Sequence, residues 1–199
     1  MLFVVLWAAS CIGVPYPKYF WLQHVPTVAV VLVLAVLQNR LAISRPSYTL
    51  ILLFMALHLL GARYLYSYVP YDDWSEQLAG FRITDRFGFE RNQYDRVVHL
   101  FYGAFLVVPA WRFLRRVVGP NTGWSALFAF SIIMAASAVY EIFEWLIAVT
   151  MAPDWADSYN GQQGDLWDSQ RDMALAALGA IVSLGIAAIW QRPAALART

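Results

Sequence analysis

Cysteine occurs once in the 199 residues, at Cys11. A single thiol excludes an internal disulfide and any cysteine cage for zinc or iron–sulfur. Charge is nearly as scarce, with Asp, Glu, Lys and Arg making up 14% of the chain. No basic stripe runs along it, so no nucleic-acid partner is expected. The phosphate-binding Walker loop, the dinucleotide glycine fingerprint, HExxH and GxSxG are all missing, which excludes the nucleotide, zincin and hydrolase classes that depend on them. Gly/Ser or Pro-rich linkers and internal repeats are missing as well. The chain therefore reads as a single integral membrane domain, 1–199.

Apolar surface is what the chain has in excess. Hydrophobic residues make up 60% and aromatic residues 16%, and the mean hydropathy is +0.53, more than a soluble domain needs. A spanning helix takes about 20 mostly apolar residues. Six runs approach that length, near 2–14, 24–43, 48–64, 97–115, 124–150 and 173–190. The expected fold is all-α: a polytopic transmembrane helix bundle of about six spans, with two longer polar loops, 67–96 and 151–172, on the outer side. The first run is short and ends at "PYPK", where Pro15 and Pro17 oppose a regular helix. Nothing basic precedes Lys18, which argues against a cleaved leader and for counting this run as a span.

Charge orients the bundle. With six spans and a cytoplasmic amino terminus, one side holds Arg40, Arg45, Arg112, Arg115, Arg116, Arg192 and Arg198 with no acid, and all 13 Asp and Glu fall on the other. Basic residues in short loops mark the cytoplasmic face. The expected location is the bacterial inner membrane, multi-pass, with both termini cytoplasmic.

This topology brings polar residues of several helices to one depth near the outer side. In "YDRVVH", Asp95 and His99 stand at i and i+4; in "YEIFEW", Glu141 and Glu144 stand at i and i+3; Asp165, Asp168 and Asp172 follow at i, i+3 and i+7. Each set shares a helical face. Ionisable groups are costly in a membrane and like charges repel at these spacings, so the faces should turn inward toward partners. A divalent metal ion is the cofactor this implies, since carboxylates from several helices with a histidine follow the logic of carboxylate metal sites. Such a donor set suits magnesium, manganese, zinc and iron. The expected ligands are His99, Glu144, Asp168 and Asp172. Glu141 is the candidate general base, and Asp95 orients an imidazole or shares a proton. Arg63, Arg91 and Arg96 are candidates for holding an anionic group, with His58, Tyr94 and Asp165 completing the pocket.

The same residues admit plainer readings. Acids and arginines in a membrane core also form satisfied ion pairs that fix helix packing. A lone histidine such as His58 is most simply a structural hydrogen-bonding group. The aromatic cluster "RYLYSYVPYDDW" with Trp74, Trp145 and Trp167 suits a membrane-boundary belt, or else Tyr64, Tyr66, Tyr68 and Trp167 line a lipid or small-ligand pocket.

The strings "HLLGARYLYSYVP", "RNQYDRVVHLFYG", "YEIFEW" and "GQQGDLWDSQRDM", in this order, resemble the YjdF family of bacterial inner-membrane proteins, and the likeness extends from "PYPKYFW" to the last helix. The resemblance implies fold and location. Its motif positions fall on His58, Gly61, Tyr64, Arg91, Tyr94, Asp95, Arg96, His99, Gly103, Glu141, Glu144, Gly164, Asp165, Asp168 and Asp172. "DRVVH", followed by a helix acid and a late Asp, is also similar to VanZ-like membrane proteins linked to glycopeptide resistance. Those proteins usually carry lysine after the Asp and glutamine where Glu144 stands, so this likeness implies cell-envelope work only.

The expected function is a metal-assisted enzyme acting on a lipid-linked or small envelope substrate, with membrane lipids around it. A transporter or proton-coupled carrier, and a non-catalytic lipid-binding or assembly protein, are the alternatives. The orientation is directly testable: alkaline phosphatase fused after Gly80 should be active, and fused after Ile43 or Gly119 inactive. The reverse pattern would invert the topology.

Overall fold

A computed structural model describes residues 2–41, 43–119, 122–150 and 162–191. These residues form eight helices joined by turns, without a strand. They are α1 Leu2–Ser10, α2 Pro17–Leu41, α3 Arg45–Arg63, α4 Tyr71–Ala79, α5 Ile83–Phe87, α6 Tyr94–Val117, α7 Thr122–Thr150 and α8 Asp168–Gln191. Arg192, Arg198 and Gly161 lie outside the described residues.

Five of these helices, α2, α3, α6, α7 and α8, are long and apolar enough to cross a membrane. The first apolar run forms only the nine-residue α1, about 13 Å at 1.5 Å per residue against the ~30 Å hydrocarbon core. It packs beside α3. The expected outer loop 67–96 contains two short helices. Asp72 and Asp73 occupy the first turn of α4, which stops at Gly80 in the left-handed region (φ 75°), where glycine costs least. Thr84 at the start of α5 donates its amide to Asp72, 2.8 Å away. Arg82 forms ion pairs with Asp72, Asp73, Glu76 and Asp85.

The bundle has two unlike ends. At one, Arg112 reaches Ser44 and Arg116 reaches the Leu41 carbonyl, so the α2–α3 turn and the carboxyl end of α6 meet there. At the other, the start of α6 meets the carboxyl half of α3 through Tyr94 and Leu57 and packs beside the start of α8. Large apolar side chains such as Val33, Val36, Val139, Ile181 and Ile189 stay exposed around the helices, as a lipid-facing surface requires.

The closest seam joins α6 and α8, which run parallel. A Cβ on Gly103 would collide with the Ala176 carbonyl, and one on Gly179 with the Leu100 carbonyl. Hydrogen therefore occupies both crossing points, and the backbones meet as they do at small-residue crossings in membranes. On α6 the buried i+4 ridge is Asp95, His99, Gly103, Val107 and Trp111; on α8 it is Asp168, Asp172, Ala176 and Ala180. Each ridge carries carboxylates near its start and small or apolar residues beyond. Val107, Trp111, Leu114, Ala129, Ile133 and Ala180 form the core toward the arginine end, and Phe54, Met55, Tyr66, Val69, Tyr94 and Val98 a second core toward the carboxylate end.

Gly103→Ala should therefore destabilise the protein by about 1–3 kcal/mol through overpacking. Gly185→Ala, whose Cβ would meet nothing within 4 Å, should leave stability unchanged or slightly raised. Thermal unfolding in detergent, followed by tryptophan fluorescence, separates the two.

Candidate functional site

The segment before α6 and the turn before α8 interlock. Asn92 donates its amide to Gln163 Oε1 at 2.9 Å, and Gln163 Nε2 donates back to the Asn92 carbonyl at 3.2 Å. Arg91 donates to the Gln162 carbonyl at 2.9 Å and pairs with Asp168. Gln163 and Gly164 hold positive φ, 48° and 84°, which bends the chain sharply enough to return these groups to Asn92. Both sides of this clasp lie in "RNQYD" and "QQGD", and the sequence reading passed over Asn92 and Gln163.

Asp165 lies in the turn ahead of α8 and not on its helical face, because α8 begins at Asp168. It pairs with Arg96 and, at 2.6 Å, with Arg171, and it accepts from the Trp167 amide at 3.0 Å. Burial alone would raise the Asp165 pKa; the Trp167 amide and the guanidinium groups of Arg171, Arg96 and Arg91 outweigh it and hold the carboxyl below its usual range. Asp168, one of the expected ligands, is instead bound by Arg91, with Arg96 at 4.0 Å. Both guanidinium groups lie toward Oδ1, so these pairs engage one of the two carboxylate oxygens.

Behind these pairs lie Asp95, His99, Glu141, Glu144 and Asp172, none more than 7% exposed. His99 Nε2 stands 3.7 Å from Asp95 Oδ1 and 3.6 Å from Glu141 Oε1. Asp95, His99 and Asp172 each offer a ligand atom, and these atoms lie within 4.8 Å of one another. This group shares His99 and Asp172 with the expected ligand set and adds Asp95, and Glu144 and Asp168 are not part of it. Asp172 Oδ1, His99 Nδ1 and Glu141 Oε1 are buried without a hydrogen-bond partner. Among the described residues, no arginine makes an ion pair with Asp95, Asp172, Glu141 or Glu144. Four buried carboxylates thus face one imidazole, and burying each unpaired charge costs several kcal/mol. Asp172 and Glu144 come from different helices, yet they sit within electrostatic reach of each other and of Asp95.

Two expected pocket residues have other tasks, and a third, His58, keeps a place in the cavity lining beside Asp95 and His99. Arg63 donates to the carbonyls of Ser10 at 2.9 Å, Ile12 at 2.5 Å and Gly13 at 2.9 Å, closing the end of α1; its three backbone acceptors leave it away from the carboxylates. Tyr94 donates to the Leu57 carbonyl at 2.9 Å and anchors α6 to α3. His58 bridges Tyr66 Oη and Thr27 Oγ1, each at 2.5 Å. That bridge needs an unusual turn: Leu65 and Tyr66 both take positive φ, 52° and 54°, at roughly 1–2 kcal/mol each. The turn lays Tyr66 over Gly61, where any Cβ would strike its ring. Trp167, read as belt or pocket, is 63% exposed. The sequence reading also passed over His24, fully buried, stacked on Phe20 and with both ring nitrogens unpartnered.

Five apolar helices of spanning length around a buried polar layer define a multi-pass helical membrane protein. A family model described as "Predicted membrane protein (DUF2238)" matches residues 1–193, and the chain belongs to that family. It is 34% identical over 173 residues to the inner membrane protein YjdF of Escherichia coli (strain K12), covering 85% of this chain and 78% of that protein. The YjdF likeness read from the motifs holds over most of the chain. No solved structure matches.

The depressed Asp165 pKa fixes the sign of a pH effect. The stability it contributes is complete above about pH 4, the unfolded value, and is lost as pH falls through its lower folded-state value. Asp165→Asn should thus unfold at a lower temperature than wild type at neutral pH, and the difference should shrink with acidification. A gap independent of pH would assign the loss to packing alone.

Proposed function

We propose that this protein is a metal-assisted enzyme of the bacterial inner membrane acting on a lipid-linked or envelope substrate. One observation carries the reading: Asp95, His99 and Asp172, on two helices, converge with ligand atoms within 4.8 Å while two of them keep unpartnered buried atoms. A divalent cation there satisfies Asp172 Oδ1 and offsets the surplus of carboxylates with which Arg91 and Arg96 form no direct ion pair. Such an ion supplies Lewis-acid polarisation of a phosphoryl or carbonyl oxygen. Hydrolysis or transfer at a lipid phosphate is a concrete form of that chemistry. Glu141, whose Oε1 is unpartnered and 3.6 Å from His99, is the group that holds or accepts a proton. Arg91 and Arg96, already tied to Asp168 and Asp165, position the layer from outside.

The arginine end, free of acids around Arg40, Arg45, Arg112, Arg115 and Arg116, faces the cytoplasm by the positive-inside rule. The likeness to an inner membrane protein supports the same membrane. The site then opens toward the cell envelope, where lipid-linked intermediates present their headgroups.

Competitive Mn²⁺ titration with elemental analysis of detergent-purified protein tests the site. Wild type should bind one ion. Asp95→Asn and Asp172→Asn should weaken binding by more than the about 10–100-fold that outer-shell changes produce, and Asp168→Asn should stay within that range. Wild type without stoichiometric metal removes the enzyme reading and brings the proton-coupled carrier forward, to be tested by flux across proteoliposomes with Glu141→Gln.

A further inference from the structure

A cavity of about 360 Å³ adjoins the carboxylate layer, enclosed by α2, α3, α6 and α7. This is the low end of the range of small-molecule sites, about 300–1,000 Å³. Its walls are mostly apolar, as Val30, Met55, Leu106 and Phe143 show, while Asp95 and His99 stand in the same lining. From His99 to Leu106 is seven residues of α6, about 10 Å of helix. The cavity therefore runs from the carboxylate layer toward the membrane interior, polar first and apolar beyond, in the same order as a lipid of that leaflet.

Its mouth is lateral. α2 packs against α3, and α7 packs against α6 and α8, while α2 and α7 share no packed seam. Leu22 and Val30 on α2 and Phe143 on α7 border the cavity and also remain exposed on the lipid-facing surface. Within it, Gln23 Nε2 on α2 and Ser137 Oγ on α7 are unpartnered, on side chains at most 4% exposed. A hydrocarbon chain moving from bilayer to cavity leaves one apolar medium for another, so burial of its methylenes adds little. Retention has to come from polar contacts, and an unpartnered donor on α2 and an unpartnered hydroxyl on α7, both in the lining, suit the oxygens of a lipid linkage.

We infer that this cavity takes one hydrocarbon chain of a phosphate-bearing lipid, admitted sideways between α2 and α7. The linkage oxygens meet Gln23 and Ser137, and the phosphate lies at the layer of Asp95, His99 and Asp172. The phosphate end rests on the metal reading above, because an anion beside four carboxylates needs a cation between them. The chain end rests on the cavity alone.

The test uses the full chain in nanodiscs with a monoalkyl phosphate that carries a nitroxide midway along its chain, read by electron paramagnetic resonance. Wild type should show a motionally restricted population, reduced about tenfold by Ala136→Trp or Ser137→Phe, both in the cavity lining. Leu178→Trp, on the exposed face of α8, should leave it unchanged, and Mn²⁺ binding should persist in Ala136→Trp. The two cavity variants back each other should one fail to fold. Stoichiometric Mn²⁺ without a restricted population overturns the lipid inference and leaves the metal reading standing. A restricted population sensitive to Ala136→Trp in protein that binds no Mn²⁺ supports the chain site and overturns the metal reading. Equal loss in Leu178→Trp assigns the signal to boundary lipid and overturns the inference. Displacement by inorganic phosphate equal to that by the alkyl phosphate would point to a soluble anion and overturn it too.

Discussion

Two helices cross here without side chains between them, and the rest of the bundle follows from that contact. At Gly103 and Gly179 the backbones of α6 and α8 lie so close that neither position tolerates a Cβ. In a membrane, where lipid is as apolar as leucine, such proximity is held by packing and not by expulsion of water. It also fixes register. One turn before Gly103 is His99 and one further is Asp95; one turn before Ala176 is Asp172 and one further is Asp168. The glycine contact thus brings carboxylates of two helices together at a depth where each alone would be costly.

What separates these carboxylates is the company they keep. Asp165 and Asp168, nearest the boundary, are taken by Arg96, Arg171 and Arg91. Those pairs also join the starts of α6 and α8, so they close the end of the bundle as they neutralise it. One layer deeper, Asp95, Asp172, Glu141 and Glu144 have His99 and no arginine ion pair among the described residues. A structural polar core would be expected to satisfy its members, since partly satisfied networks are unfavourable. The unpartnered atoms on Asp172, His99 and Glu141, gathered beside one another, are what the metal proposal rests on.

Much of this was readable from the chain. Run length and hydropathy marked six runs, because a lipid-facing helix has no reason to hide its apolar residues; five are helices of spanning length and the first is only the nine-residue α1. The i, i+4 pair Asp95 and His99, and the acids of "YEIFEW" and "GQQGDLWDSQRDM", pointed to the buried layer. Rotation about each helix axis was not readable, and it decides which acid meets which partner: Asp168 turned to Arg91, Asp95 turned inward, and Asp165 stood outside the helix. The clasp of Asn92 with Gln163 escaped because loop amides carry no periodic signal. Arg63 misled for a related reason, as carbonyls at the end of a short helix attract a guanidinium without any acid in the pattern. The α4–α5 pair was hidden by its length, since nine and five residues are too few for a distinct apolar period.

The parallel course of α6 and α8 has an electrical consequence. Each helix carries about half a positive charge at its amino end, and parallel packing aims both ends at one spot. Asp95, in the first turn of α6, and Asp168 and Asp172, in the first two turns of α8, sit within that field. α7 runs the opposite way, and Glu141 and Glu144 in its second half are more than a turn from either end, outside the field of a helix terminus. Backbone charge thus favours the aspartates at the helix starts and leaves the glutamates without such help. The aspartates at the two amino ends rest against backbone dipoles that favour an anion, whereas the glutamates have only side chains to meet them: His99 and Ser169 at Glu141, and Tyr140 at Glu144.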